Sequence, residues 1–227
     1  MNNKNVSVSF MFCGILFCVC LVASNLLGTK ILQIGPFALT AGVIVFPISY
    51  ILNDCISEVW GFRKVRLVIW MGFLMNFLVV ALGGIATAIP APPFWEGEEA
   101  FNFVFGLAPR IAVASLTAFL VGSFLNAWVM SRLKLLHRER KFSLRAILST
   151  LAGEGADSLI FFPLAFGGLM PASELLKMML LQVTAKTLYE ILVLPLTTQI
   201  VKRLKKSEGV SVYDDNISYN VFKINEI

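Results

Sequence analysis

Three charged residues lie within two largely apolar stretches of the chain. Glu154 and Asp157 are three residues apart in one stretch, and Lys186 lies in the next. This spacing places both carboxylates, with Thr150, on one face of a helix. Two carboxylates this close repel each other in a medium of low dielectric constant, so a shared proton or a nearby cation must offset their charge. Lys186 is the candidate cation, and it can pair with either carboxylate.

Such a cluster has two interpretations. A buried ion pair can be purely structural, but these pairs contribute little stability because removing two charges from water is costly. Charged residues inside a membrane more often line a pathway or a binding site. The sequence therefore favours a polar site and leaves the structural interpretation open.

Further polar residues interrupt the apolar stretches. Asp54 lies deeper in its stretch than Glu58. Glu58 should reach the cytoplasmic interface, where it is either solvated or part of the site. Arg110 either extends to the outer headgroups or pairs with a carboxylate. Asn25 ends its stretch, where a helix cap and a ligand contact look alike. The candidate binding residues are Asn25, Tyr50, Asp54, Arg110, Asn126, Glu154, Asp157, Lys186 and Glu190.

The elements that must position these residues are membrane helices. Of the 227 residues, 57% are hydrophobic and 15% are charged, and the mean hydropathy is +0.79. A soluble domain of this length is about half apolar and a quarter charged. Composition therefore predicts an all-α membrane protein with six transmembrane helices, each of about 20 residues. The predicted spans are residues 9–27, 37–57, 65–89, 107–131, 144–169 and 175–201.

Local signals refine these spans. A small-residue face that should let a neighbouring helix approach closely is formed by Ser115, Ala118, Gly122 and Asn126. A short turn joins the last two spans, which should be antiparallel neighbours. The loop 90–106 reads as irregular or interfacial, and no helix signal follows residue 201. Pro47, Pro163 and Pro195 fall inside predicted spans, where each would free a backbone carbonyl. The sequence thus divides into a transmembrane domain (1–206) and a polar cytoplasmic tail (207–227).

Basic residues indicate the orientation. They concentrate around 63–66, 132–145 and 202–206, whereas the alternate loops contain only Lys30 and Lys177. Since Lys-rich and Arg-rich loops stay in the cytoplasm, both termini should be cytoplasmic. The first apolar stretch is long for a signal peptide, so a retained helix is expected, with cleavage the lesser alternative. The net charge of +5 belongs to this pattern, and no nucleic-acid partner is predicted.

Several catalytic signatures are absent from the sequence. It contains no GxxxxGK[ST], HExxH or GxSxG pattern. The four cysteines have no metal-ligand spacing with His137 and should be reduced, buried apolar residues. The sequence therefore predicts neither an enzyme nor a cofactor or metal site.

Five segments in order carry a family resemblance over residues 21–206. They read SNLLGTKIL, AGVIVFPISYILNDCISEVWGFRKVRLVIWMGF, PRIAVASLTAFLVGSFLNAWVMSRLK, STLAGEGADSLIFFPLAF and AKTLYEILVLPLTTQIVKRLKK. The chain resembles the queuosine precursor transporters, six-helix bacterial inner-membrane proteins also described as vitamin-uptake-like. The resemblance implies a fold like that of the substrate-binding components of energy-coupling-factor transporters. The polar positions that carry over are Asn25, Asp54, Glu58, Arg110, Ser115, Asn126, Glu154, Asp157, Lys186 and Glu190.

The resemblance implies uptake of 7-deazaguanine bases for tRNA modification: the cyano or aminomethyl precursors, or queuine. A guanine-like edge offers two N–H donors beside a carbonyl acceptor, and a carboxylate can accept from both donors. We expect Asp157 or Glu154 to contact this edge and Lys186 to keep the other carboxylate ionised. The carbonyl or the 7-substituent is assigned to Lys186, Arg110 or Asn126, and stacking on the base to Tyr50 or Phe161.

Three functional hypotheses remain. The leading one is a secondary or facilitative transporter, and the second is a binding component that depends on a separate ATPase. The third is an intramembrane enzyme or scaffold that transports nothing. Carboxylates, a lysine and amides suit binding better than bond-making. The base, the coupling ion and the oligomeric state, a homo-oligomer included, stay open.

Overall fold

Long α-helices dominate the computed structural model, which describes residues 6–34, 37–106, 109–137, 141–168, 171–214 and 217–223. Five helices in these ranges are long and apolar enough to cross a membrane, which confirms an all-α membrane protein. A small antiparallel hairpin pairs Ile31 with Thr40. In chain order the elements are α1 (Val8–Leu27), β1 (Ile31–Ile34), β2 (Phe37–Thr40), a 3-10 turn (Ala41–Ile44), α2 (Phe46–Thr87), α3 (Glu98–Phe105), α4 (Pro109–His137), α5 (Phe142–Phe166) and α6 (Ala172–Glu208).

Helix α2 consists of two arms that meet at Gly61. This glycine has φ 81° and ψ 174°, a conformation that interrupts a helix and that residues with a Cβ rarely adopt. Phe46 and Asn76 are equally far before and after Gly61, yet both line one cavity. A straight helix would hold them about 45 Å apart. The first arm (46–60) and the second arm (62–87) therefore fold back on each other as a helical hairpin.

Helices α4 and α5 approach each other most closely at two glycines. A Cβ added to Gly122 would lie 2.9 Å from the carbonyl oxygen of Gly153, and a Cβ added to Gly153 would lie 2.9 Å from that of Gly122. Neither backbone could come this near if a larger residue stood there. This contact confirms the small-residue face predicted for the fourth span, and the packing of α5 against α6 confirms that the last two spans are neighbours.

The apolar core lies between α1, the two arms of α2 and α4. Its fully buried members include Phe17, Ile56, Val65 and Ile69. Large apolar side chains elsewhere on the helices are exposed, among them Leu82, Leu159 and Leu192, so the bundle presents an apolar surface around its circumference. Lipid would cover such a surface, because a soluble protein seldom exposes contiguous apolar patches of this extent.

Two predicted helix boundaries differ most from the structure. The second span was expected to begin at residue 37, but residues 37–40 pair as strand β2 and the helix begins at Phe46. Pro47 therefore lies in the first helical turn, where its missing N–H costs no hydrogen bond, and it frees no carbonyl. The last helix does not end near residue 201 but continues to Glu208, where Gly209 adopts the left-handed conformation of a helix cap. The lysines of this extension are good helix formers despite their charge.

The loop after the second arm of α2 is only partly irregular. Residues 90–97 form no regular element, but Glu98–Phe105 forms helix α3. The side chains of Phe94 and Phe103 are exposed. One of these aromatic side chains lies on the short helix and the other in the loop before it. Exposed aromatic residues of this kind are typical of the interfacial segment expected from the sequence.

The C-terminal segment (209–214 and 217–223) packs on the turn at Gly61. The Val212 amide donates to the Val59 carbonyl at 3.2 Å. Both carboxylate oxygens of Asp214 accept from the Phe62 amide at 3.0 Å, which places an acidic cap on the first turn of the second arm. Ser131 also donates to this carboxylate. Burial raises the pKa of Asp214, and the bonds from Ser131 and Phe62 oppose that shift.

Basic residues hold the rest of the C-terminal segment. Arg66 is fully buried and donates to the carbonyls of Ser218 and Asn220 at 3.2 and 2.7 Å. The indole N–H of Trp70 donates to the Val221 carbonyl at 2.8 Å. Polar backbone groups that the segment would otherwise leave unpaired are thus satisfied by the helices beneath it.

Gly61→Ala should destabilise the protein by about 1–3 kcal/mol, because the backbone conformation is strained for alanine. The new Cβ would also lie 2.7 Å from Asp214 Oδ1 and 2.9 Å from Val212 Cγ1. The matched control is Gly84→Ala in the second arm, where no atom of the described residues beyond the adjoining helix backbone and chain neighbours lies within 4 Å of the added Cβ. Alanine there should be neutral or stabilising. Thermal unfolding of the detergent-solubilised variants tests this, and equal midpoints for both would contradict it.

Candidate functional site

A cavity of about 140 Å³ opens between the long helices. One water molecule needs only about 15 Å³ of such space, so the cavity can admit a small organic molecule. Its wall includes residues from α1, both arms of α2, α4, α5 and α6. The lining residues are Leu21, Ser24, Asn25, Gly28, Gly42, Val43, Phe46, Asn76, Val80, Ser115, Leu116, Phe119, Asp157, Phe161, Gln182 and Lys186.

The charged part of the wall is formed by α5 and α6. Lys186 Nζ lies 2.6 Å from Glu154 Oε2 and 3.7 Å from Asp157 Oδ2, which confirms the pairing predicted from the sequence. The same ammonium lies 3.8 Å from the centroid of the Phe46 ring, a cation–π contact with the first arm of α2. All three charged residues are buried. Lys186 therefore supplies one positive charge to two buried acidic groups within the bundle.

The two carboxylates have different surroundings. Asp157 lines the cavity, whereas Glu154 is fully buried and does not contribute to the described lining. Lys186 is closer to Glu154 than to Asp157 by more than 1 Å. Asp157 is consequently the carboxylate that a molecule in the cavity would meet, and Glu154 is the carboxylate that holds the lysine.

A chain of neutral polar groups forms another part of the wall. Ser115 Oγ donates to Asn25 Oδ1 at 3.3 Å, and Asn25 Nδ2 donates to Asn76 Oδ1 at 2.7 Å. Of these three residues, Asn76 is absent from the sequence-based candidates. It is the single amide side chain in residues 65–89, so the signal that pointed to Asn25 would also have pointed to Asn76. Phe46 was missed as well, and its place in the cavity wall and its contact with Lys186 identify it.

Two predicted site residues lie behind the wall rather than on it. Asn126 is fully buried, and its Oδ1 accepts from Asn53 Nδ2 at 2.8 Å. Tyr50 packs at the contact between α4 and α5, where a Cβ added to Gly122 would lie 2.6 Å from its hydroxyl. Neither lines the cavity. The structure therefore assigns both side chains to helix packing around the site.

Two further candidates, both acidic, also lie outside the lining. Asp54 is fully buried and accepts from the Ser149 hydroxyl at 3.1 and 3.2 Å. Glu190 is buried one helical turn after Lys186, near Thr150 and Asp54. Asp54 and Glu190 therefore continue the polar interior beyond the cavity, into the space between the first arm of α2, α5 and α6.

The structure contradicts the expectation of a solvated Glu58. Only 1% of this side chain is exposed, and its carboxylate pairs with Arg145 at 2.6 Å and with Lys205 at 2.6 Å. Arg145 forms a second bond at 3.0 Å, so the pair is bidentate. Lys134 donates to the Glu58 carbonyl at 2.5 Å. The carboxylate is buried because basic residues of α5 and α6, counted as loop charges in the sequence, surround it.

Arg110 belongs to α4, but its side chain lies outside the part of the chain that the structure describes. The two alternatives given for it are therefore unchanged. In the described residues the four cysteines are free, with Cys18 half-buried and the others buried. No group of His, Cys, Asp and Glu in these residues could hold a metal ion.

Lys186→Met should lower the free energy of unfolding by about 3–5 kcal/mol, because it leaves two buried carboxylates without their cation. Adding Glu154→Gln should recover part of this loss, since one of the uncompensated charges is removed. Lys177→Met, at an exposed position near the start of the same helix, is the control and should change stability little. Thermal unfolding measures all three. Equal midpoints for the single and double variants would contradict an electrostatic role.

Comparison with known proteins identifies a family that this chain matches. The family model described as "Putative vitamin uptake transporter" matches residues 40–200. The chain is 26% identical over 192 residues to the "Probable queuosine precursor transporter" of Bacillus subtilis (strain 168), covering 84% of this chain and 83% of that protein. It is 27% identical over 146 residues to the "Queuosine precursor transporter" of Escherichia coli (strain K12).

The second match covers 64% of this chain and 63% of the Escherichia coli protein, so it spans slightly less than two thirds of that relative. A "Probable queuosine precursor transporter" of Haemophilus influenzae is 26% identical over 130 residues, 57% of this chain and 53% of that protein. No solved structure matches the chain. The family model covers most of the chain and nearly all of the helices that line the cavity. This chain is a multi-pass bacterial membrane protein and belongs to the vitamin uptake transporter family.

Proposed function

We propose that the protein takes up queuosine precursors, 7-deazaguanine bases such as the cyano or aminomethyl form or queuine, as a secondary or facilitative transporter. The observation that carries the proposal is Asp157, a buried carboxylate on the wall of a cavity enclosed by apolar helices. The names of the relatives supply the substrate class. A buried acid that faces a cavity has lost its water and gains most from a ligand with N–H donors.

The cavity offers the contacts that a guanine-like edge requires. Asp157 can accept from the ring N–H and from the exocyclic amine in a bidentate arrangement. The bond of Lys186 to Glu154 leaves Asp157 available to the ligand while the positive charge stays close. Phe161 and Phe46 line the same cavity and can stack on the flat base. Tyr50, the alternative stacking residue, lies outside the wall.

The proposed transporter crosses the membrane six times, with both termini in the cytoplasm. The two arms of α2 each supply one crossing, in addition to α1, α4, α5 and α6. The turn between the arms presents the basic residues Arg63 and Lys64, and the C-terminal segment packs against this turn. Basic ends of a bundle face the cytoplasm. We assign the six-helix fold to the type found in substrate-binding components of energy-coupling-factor transporters.

Asp157→Asn should reduce uptake about 10- to 100-fold, since an amide cannot accept both N–H donors and a hydrogen bond to a charged group contributes about 1.5–3 kcal/mol. The assay uses a bacterial strain that cannot make the precursor, and it measures queuosine in tRNA with each base supplied at low concentration. Lys186→Met should lose uptake as well. Glu99→Gln, at an exposed position of α3, is the control and should retain it.

Two results would contradict this proposal. Normal uptake by both Asp157→Asn and Lys186→Met would show that the charged wall does not bind the base. No rescue of the wild type by any base would contradict the substrate class. Purified protein in liposomes then tests the energetics: uptake without another protein supports a secondary or facilitative transporter. Binding without uptake would instead indicate dependence on a separate ATPase.

A further inference from the structure

Asn76 is buried in the cavity wall with one half of its amide unpaired. Its side chain is 1% exposed, and it lines the cavity from the second arm of α2. Its Oδ1 accepts from Asn25 at 2.7 Å. Its Nδ2 has no hydrogen-bond partner in the part of the chain that the structure describes. Buried polar groups of native proteins are almost always paired, so an unpaired donor beside a cavity requires an explanation.

The neighbouring side chains determine which half of the amide stays unpaired. Ser115 donates to the oxygen of Asn25, and Asn25 in turn donates to the oxygen of Asn76. This chain of bonds uses the acceptor of Asn76 and leaves its donor. The three residues come from α4, α1 and α2, so three helices hold the amide in one orientation. Such support from rigid elements is what a specific binding contact needs.

We propose that Asn76 contacts the substrate, donating from Nδ2 to the carbonyl oxygen of a 6-oxo base while Asp157 accepts from the adjacent N–H groups. This inference rests on the proposed function and adds the group that distinguishes one base from another. A 6-amino base would place its exocyclic amine opposite the amide N–H groups of Asn76 Nδ2, so two hydrogen-bond donors would face each other. The site would reject a 6-amino base strongly, because its own buried hydrogen-bonding groups would then be left unpaired.

Other donors in the wall are less suited to this contact. The Lys186 ammonium is bound to Glu154. Asn126, a candidate from the sequence, does not line the cavity. Gln182 lines it but is only half-buried, and among the residues that the structure describes no chain of bonds like that of Asn76 positions it. Asn25 and Ser115 act here as positioning residues, because they orient the amide that meets the ligand.

The test measures binding of two bases to the purified full-length protein in lipid nanodiscs. One is 7-cyano-7-deazaguanine, and the other is its 6-amino counterpart, 2,6-diamino-7-cyano-7-deazapurine, which keeps the exocyclic amine at position 2. The wild type should prefer the 6-oxo base by about 100-fold or more. Asn76→Leu should lose about tenfold in affinity for this base, with the preference reduced accordingly. Asn76→Asp, which presents acceptors in place of the donor, should shift the preference toward the 6-amino base.

Two further variants separate recognition from structure. Thr87→Val, near the exposed end of the same arm, should leave affinity and preference unchanged. Ser115→Ala keeps Asn76 but removes the first bond of the chain, and it should reduce the preference by a smaller factor than Asn76→Leu. Because the readout is a ratio for two ligands of one shape, a general loss of folded protein does not alter it.

The outcomes distinguish this inference from the function on which it rests. If the wild type binds neither base, the proposed function is wrong and this inference fails with it. If the wild type prefers the 6-oxo base and the Asn76 and Ser115 variants keep the same ratio, the function stands and the role of Asn76 is refuted. A reduced ratio in Asn76→Leu, or a reversed one in Asn76→Asp, supports the contact.

Discussion

The ion pair between Lys186 and Glu154 determines how the helices meet around the cavity. Neither charge can face hydrocarbon without a large cost, so α5 and α6 pack with these side chains toward each other, 2.6 Å apart. The Phe46 ring lies 3.8 Å from the same ammonium and joins the first arm of α2 to this point. Asp157, at 3.7 Å, remains on the cavity wall. One cation thus orients three helices and leaves one carboxylate for a ligand.

A second charged cluster joins the same three helices beside the turn at Gly61. Glu58 from α2 pairs with Arg145 from α5 and with Lys205 from α6. Between the two clusters lie the buried groups of Asp54 and Glu190. The interior between these helices is therefore polar over much of its length, in contrast to the apolar core on the other side of α2. Polar groups in such numbers are costly to bury, and their position along one route agrees with the passage of a polar molecule.

Much of the site could be predicted because its signals are local. Helical periodicity places Glu154 and Asp157 on one face, and a short connection makes α5 and α6 neighbours, so their pairing with Lys186 followed from spacing alone. The close approach at Gly122 also followed from residue size. Spacing left alternatives open where burial depends on distant partners: Glu58 is paired rather than solvated because residues 87 and 147 positions away reach it.

The sequence by itself determined that the chain is a bundle of apolar helices with its charges turned inward, since hydropathy and helical period belong to each segment separately. Tertiary structure alone decided which carboxylate faces the cavity and which holds the lysine. It also decided that Asn76 bonds to Asn25, 51 residues away, and that Asn25 bonds to Ser115, 90 residues away. Such contacts exist because Gly61 reverses the chain, and no local pattern encodes which helix faces that reversal brings together.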